Sequence, residues 1–215
     1  MKFLKALFIS FALFVSTICN AERLTCIGNS MTIHLPKADI GWDGKWGMAA
    51  SSQATDYCHV LAKKIAERRN IQITAEPVNI SQLENLSISL DQIKNLNIID
   101  YSSEYIVIYL GDNFKGISPN EMKAFSERIN YLLQKIDLKK SRVFILGTWW
   151  TRTDIDNLLM DVSLKNQITF VSLKGLSTMD INLGKYKKPM INAGVGAHPN
   201  DIGMEKISEA IMQRF

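Results

Sequence analysis

The chain predicts an α/β fold: a three-layer α/β/α sandwich around a five-stranded parallel sheet with flavodoxin-like strand order. Three observations predict it. Short β-rich apolar runs alternate with segments of helical apolar spacing from one end to the other. The run at residues 105–110 is almost wholly apolar, as a strand buried on both faces must be. No internal repeat or composition break divides the chain, and 215 residues suit one domain with a sizeable core.

Residues 1–21 read as a secretory signal peptide. Lys2 and Lys5 supply the charged start, residues 6–15 the apolar run, and Cys19-Asn20-Ala21 the small-residue ending. The run is short for a membrane span. Cys19 resembles a lipid-attachment cysteine, but bulky Ile18 precedes it. The expectation is cleavage after Ala21, export to a periplasm or the medium, and no stable membrane insertion of the remaining domain, 22–215. Net charge is only +4, with the basic residues scattered among acids. The pairs Lys139-Lys140 and Lys187-Lys188 read as solvated corners, so no nucleic-acid partner is expected.

The first strand runs over 24–27 and breaks at Gly28-Asn29-Ser30. Taken alone, this is a strand end followed by a helix cap, because Asn and Ser both cap well. Residues 33–52 form an irregular connection with Pro36, Gly41, Gly44 and Gly47, and connections of this length are usually functional. Helical spacing follows over 53–69, with Ala54, Tyr57, Cys58, Leu61, Ala62 and Ile65 on one stripe. Residues 71–75 alternate as a second strand.

Residues 79–101 suggest only short helical pieces. The central strand 105–110 ends at Gly111-Asp112-Asn113. Ser118-Pro119-Asn120-Glu121 then opens a helix with proline in its first turn. The strand at 142–146 ends at Gly147-Thr148-Trp149-Trp150, a helix begins near Thr153, and 168–171 is the fifth strand. A loop through 194–200 leads into a last helix carrying Met204, Ile207 and Ile211.

Removing the signal leaves Cys26 and Cys58, an even count in an oxidising compartment. They form either a bridge from the first strand to the following helix or two buried free thiols.

Ser30, Gly47, Asn113 and His198 all fall at strand ends or in loops, where open α/β sheets bind ligands. A hydrolytic serine needs a base for its proton and donors aimed at the developing oxyanion. The chain has three histidines. His59 borders an apolar helical stripe, and His34 either lines a site near Ser30 or packs under the loop. His198 stands in a Gly/Pro-flanked loop, where imidazole can be presented.

Ser30 in Ile-Gly-Asn-Ser, Gly47 in Lys-Trp-Gly-Met-Ala-Ala-Ser-Ser, Asn113 in Leu-Gly-Asp-Asn and His198 in Ala-His-Pro-Asn-Asp resemble the four blocks of the SGNH (GDSL-like) hydrolases. They occur in the family's order, from Leu24 to the C-terminus. The resemblance implies Ser30 as nucleophile and His198 as base. It implies an oxyanion hole of the Ser30 and Gly47 N–H groups with the Asn113 side chain. No cofactor or metal is called for. The pentapeptide of α/β-hydrolases is absent, since Met31-Thr32 follows Ser30.

The chain departs from the family pattern at three places. Asn29 stands for the usual acid of the first block, and Phe114 follows Asn113. Val195 occupies the place of the triad acid, three residues before the histidine. A backbone carbonyl could hold the imidazole, giving a Ser-His dyad. Asp201 is the nearest carboxylate but reads as the cap of the last helix, and Asp112 is another candidate for polar work nearby.

Trp42, Trp46, Trp149 and Trp150 all fall in loops, and flat aromatic faces there suit sugar rings. At least two of the four should instead be packing. Asn29, Trp46 and Trp149 are the candidate substrate-lining residues. The expected substrate is a small-molecule or glycan ester carrying a short acyl group, most simply acetyl. A lipase-like or thioesterase-like hydrolase and an acyltransferase are alternatives, as is a catalytically silent glycan-binding relative.

Overall fold

The computed structural model describes residues 21–186 and 192–215. The segment read as a signal peptide, apart from Ala21, and the Lys187-Lys188 pair lie outside the described residues. Among the described residues no helix is long and apolar enough to cross a membrane.

The strands are β1 (Glu22–Gly28), β2 (Ile73–Asn79), β3 (Tyr105–Tyr109), β4 (Arg142–Leu146) and β5 (Thr169–Val171). The helices are α1 (Tyr57–Arg69), α2 (Pro119–Leu133), α3 (Thr153–Lys165), the single turn α4 (Ala193–Gly196) and α5 (Asp201–Met212). The sheet is all-parallel in the order β2-β1-β3-β4-β5, as expected of the flavodoxin-like arrangement.

Period-two alternation sorts the central strands between two cores. Leu24, Cys26, Tyr105, Val107, Tyr109, Phe144 and Leu146 face α1 and α5, meeting Tyr57, Leu61, Ile65, Ile207 and Ile211. Ile27, Ile106, Ile108, Val143 and Ile145 face α2 and α3, meeting Phe125, Ile129, Leu132, Ile155 and Leu159. On the first face the Sγ atoms of Cys26 and Cys58 are bonded, tying mid-β1 to the first turn of α1. α2 starts at a reciprocal cap. The Ser118 Oγ accepts from the Glu121 N–H at 3.3 Å, and Glu121 Oε2 accepts from the Ser118 N–H at 2.9 Å.

Three boundaries differ from expectation. The second strand runs from Ile73 through Pro77 to Asn79 rather than over 71–75. Proline is admitted because β2 is an edge strand that pairs only with β1. The expected helix over 53–69 is interrupted: a 3₁₀ turn covers Gln53–Thr55, and α1 begins afresh after Asp56. The fully buried Asp56 caps α1 by accepting from the His59 N–H at 2.9 Å. It also holds the His59 ring at 2.8 Å, which makes His59 a cap partner on the helix border. Finally, the cap of α5 is Asn200, whose Oδ1 accepts from the Gly203 N–H at 3.0 Å; Asp201 is the first helical residue.

The segment 79–101 resolves into three 3₁₀ turns, Ser81–Glu84, Leu90–Gln92 and Lys94–Asn97. Their Leu83, Ile93 and Leu96 pack into the core on the α2/α3 face of the sheet. Register brings the ends of β1, β2 and β3 level, with Gly28 paired to both Asn79 and Tyr109. Ser30 and Asn113 thereby share the carboxyl edge of the sheet.

Candidate active site

Ser30 owes its position to the bend after β1. The Asn29 carbonyl accepts from the Thr32 and Ile33 N–H groups at 3.0 and 3.1 Å, and the Asn29 side chain accepts from the Met31 N–H at 3.1 Å. This closed turn reverses the chain within four residues. It requires Gly28, because a Cβ there would stand 2.1 Å from Thr32 Oγ1 and 2.8 Å from the Tyr109 carbonyl. Ser30 is left half-buried at the rim, with its Oγ 2.9 Å from His198 Nε2.

His198 is held from behind. Its Nδ1 lies 2.7 Å from the carbonyl oxygen of Gly194. A carbonyl only accepts, so the neutral ring carries its proton on Nδ1 and turns the Nε2 lone pair toward the serine hydroxyl. Gly194 is itself placed by Asn192, whose Oδ1 accepts from the N–H groups of Gly194 and Val195 at 2.8 and 3.2 Å. Burial pushes the His198 pKa down to about 4, against the raising effect of the Gly194 carbonyl.

Neither acidic candidate reaches the imidazole. The Asp201 carboxylate accepts from the Ser51 N–H and hydroxyl, both at 2.7 Å. Asp112 Oδ1 accepts from the Trp149 and Trp150 N–H groups at 2.8 and 3.3 Å, while its Oδ2 is buried without a partner. Burial pushes the Asp112 pKa up to about 7. Val195 is buried against Trp42, Met48 and Ala49, an apolar setting that suits the side chain present.

A recess of about 450 Å³ opens over the pair, lined by Ser30, His34, Met48, Asn113, Asn192 and His198 among others. A wider groove of about 760 Å³ shares His34, Asn79 and Ser81 with it and runs on along Gln82, Gln92 and Asn95. Its lining also includes the apolar Ile33, Leu35, Pro77, Val78 and Ile98. Trp150, exposed and edge-on to His198 at 5.3 Å between ring centroids, stands beside the imidazole.

Gly47 does not line the recess; its neighbour Met48 does. A Cβ at position 47 would meet the Met31 carbonyl at 2.5 Å and Met204 at 2.8 Å, so glycine lets this loop lie directly on the Ser30 turn. The loop is pinned there by the Met48 N–H donating to the Ser30 carbonyl at 2.9 Å. Among the described residues, the Ser30 and Gly47 N–H groups donate to no protein acceptor.

Three expected lining residues lie elsewhere. Asn29 is fully buried beneath the turn it closes. Trp149 is also fully buried, its indole N–H donating to the Ala197 carbonyl at 3.0 Å, so it props the His198 loop from below. Trp46 packs edge-on to the buried Trp42 and lines a different recess with Tyr186 and Asp201. Nothing in the sequence marks Glu84, a buried acid bonded to Asn113, or says which backbone carbonyl holds His198. Among the described residues no group of three or more metal-ligating side chains gathers.

No family model and no curated protein matches the chain. Solved structures do match in fold. A protein assigned as a GDSL-like lipase from Bacteroides ovatus ATCC 8483 superposes with a TM-score of 0.58 at 11% identity, over 90% of this chain and 97% of that one. A two-domain esterase active on acetylated mannans, crystallised with mannopentaose, gives 0.57 at 12%, over 90% of this chain and 49% of that one. A family two carbohydrate esterase from Clostridium thermocellum, in complex with cellohexaose, gives 0.54 at 13%, over 90% and 63%. The chain has the fold of the SGNH, or GDSL-like, hydrolases.

Proposed function

We propose that this chain is an exported serine esterase that removes a short acyl group, most simply acetyl, from a carbohydrate or similar polyhydroxylated alcohol. The observation that carries the reading is the line Ser30 Oγ, His198 Nε2 and Nδ1, Gly194 O, with contacts of 2.9 and 2.7 Å. It is a nucleophile, a base and an orienting group in hydrogen-bond reach of one another.

In this reading His198 takes the Ser30 proton as Oγ attacks the ester carbonyl. The Ser30 and Gly47 N–H groups and the Asn113 amide receive the oxyanion. The tetrahedral intermediate collapses to an acyl-Ser30 ester, and the imidazolium passes its proton to the departing alcohol. Water, deprotonated by the same imidazole, then releases the acid. The Gly194 carbonyl dipole does the orienting that a carboxylate does in a triad, with less stabilisation of the imidazolium.

The recess over Ser30 suits a small acyl group. In the adjoining groove the amides of Asn79, Gln82, Gln92 and Asn95 offer hydrogen bonds to a polyhydroxylated alcohol, and Val78 and Ile98 offer its carbon faces an apolar wall. Two proteins of like fold act on, or were crystallised with, carbohydrates.

Hydrolysis of p-nitrophenyl acetate by the domain 22–215, abolished in Ser30→Ala, tests the reading. Acetyl esters should outpace octanoyl esters; the reverse order would favour a lipase-like enzyme. Acyl transfer to an added alcohol in preference to water would make it a transferase. Sugar binding unaffected by Ser30→Ala, without turnover, would make it a binding protein.

A further inference from the structure

We infer that Glu84 is a positioning residue for catalysis: its buried carboxylate fixes the Asn113 amide as an oxyanion donor. The inference rests on the esterase reading above, in which Asn113 faces the oxyanion.

Glu84 is 3% exposed, at the end of the 3₁₀ turn that follows β2. Its Oε1 accepts from the Gly111 N–H at 2.6 Å, the Asn113 N–H at 3.0 Å and the Asn29 Nδ2 at 3.5 Å. Its Oε2 accepts from Asn113 Nδ2 at 2.9 Å. All four partners are N–H donors, an arrangement that a carboxylate satisfies and that a protonated acid or an amide cannot fully match. A buried carboxylate is costly unless bonded this completely, so the arrangement has to be built and held. α2 holds it: the Arg128 guanidinium donates to the carbonyls of Leu83, Asn85, Leu86 and Ile88 at 2.6–3.3 Å, locking the backbone on both sides of Glu84.

The consequence for Asn113 follows from its amide having two N–H bonds. One is committed to Glu84 Oε2. On this inference the other, in the plane of the same amide, serves the recess that Asn113 lines with Ser30 and His198. Without Glu84 the exposed Asn113 side chain is free to turn over by 180°, placing Oδ1 where the donor is needed. The same carboxylate accounts for Asn29: an aspartate there would set a second buried carboxylate against Glu84 Oε1, whereas the amide donates to it.

Glu84→Gln is the discriminating variant. An amide nitrogen in place of Oε2 opposes the Asn113 Nδ2, donor against donor, and favours the turned-over Asn113. Removing one oxyanion donor costs about 10²–10³-fold in kcat, and a misoriented one should cost about 10–100-fold, with KM changed less than about threefold. If Glu84 acts through Asn113, Glu84→Gln adds less than about threefold to the loss already present in Asn113→Ala. Near-wild-type kcat in Glu84→Gln, or losses that multiply in the double variant, would overturn the inference while Ser30→Ala still reports on the esterase reading. Turnover surviving in Ser30→Ala would remove that reading and the inference together.

Should Glu84→Gln fail to fold, the wild-type protein carries the test. Its Asn113 side-chain amide resonances are assigned by their loss in Asn113→Ala. One of the two protons should be shifted downfield and exchange slowly, while its partner exchanges freely. Two equally fast-exchanging protons would overturn the inference.

Discussion

The Nδ1 of His198 lies 2.7 Å from the carbonyl oxygen of Gly194, four residues earlier on the same chain. The neighbouring position, Val195, is where the resemblance to SGNH hydrolases calls for an acid. The backbone of that one-turn helix supplies the partner of the imidazole, and Val195 packs with Trp42, Met48 and Ala49 at the wall of the same recess. A peptide dipole thus stands where a charge was expected.

A base held by a dipole in a buried site should titrate low. The His198 pKa is pushed down to about 4, and the ring acts as a base only when neutral. Neutral imidazole persists as pH falls until that value is crossed, so kcat/KM should hold from neutrality to about pH 5 and halve near pH 4. A midpoint near 6.5, the ordinary value, would contradict the burial argument.

The carboxylate nearest to His198 in sequence, Asp201, should prove dispensable. Asp201 is committed to Ser51, so Asp201→Asn should keep activity within about threefold, since surface changes away from such sites are small in effect. Val195→Asp, which restores the family's residue, should add no activity. It buries an unpaired charge beside Trp42 and Met48 and should cost about 3 kcal/mol in denaturant unfolding. Faster turnover in Val195→Asp would mean that position 195 can reach the imidazole.

The bond between Cys26 and Cys58 closes a loop with a sequence separation of 32. By loop entropy it should contribute about 3–4 kcal/mol. Alkylation of the unfolded, unreduced protein should label neither thiol, and reduction should lower the denaturation midpoint accordingly. Two labelled thiols in protein recovered from an oxidising compartment would contradict this.

Asp112 should make stability fall as pH rises. Its folded pKa is raised from 3.8 to about 7, so between those values the native state binds more protons than the unfolded chain. Stability from this group is complete below about pH 3.8 and is lost as pH rises toward 7. Asp112→Asn removes the titration, so its stability relative to wild type should improve between pH 4.5 and pH 8. A pH-independent difference would assign Asp112 an ordinary pKa.

Much of this was legible because local chemistry and global fold agree. The apolar runs at 24–27, 105–110 and 142–146 and the stripe from Tyr57 to Ile65 supply the two cores. The second strand starts two residues later and ends four residues later than 71–75, running through Pro77, which only its edge position in the sheet admits. That Ser30, Asn113 and His198 fall at strand ends or in loops was legible because glycine, asparagine and proline mark such turns.

Glu84 and the Gly194 carbonyl could not be found that way. The first sits in a run of leucines and isoleucines and gains its partners only when three strand ends come level. For the second, the sequence suggests a backbone carbonyl in place of the acid, but which one is decided only when the turn at Ala193–Gly196 folds against the imidazole. Trp149 and Trp150 are adjacent in sequence, yet one is fully buried and the other exposed beside His198, a difference that only the fold decides.

The central claim is that Ser30 is a nucleophile activated by His198. A fluorophosphonate probe tests it directly, since it reacts covalently with an activated serine and needs no knowledge of the natural substrate. Intact-mass measurement should show one adduct per chain, peptide mapping should place it on Ser30, and His198→Ala should slow labelling by about 10²-fold or more. A folded protein that takes no label, or takes it on another residue, would contradict the account.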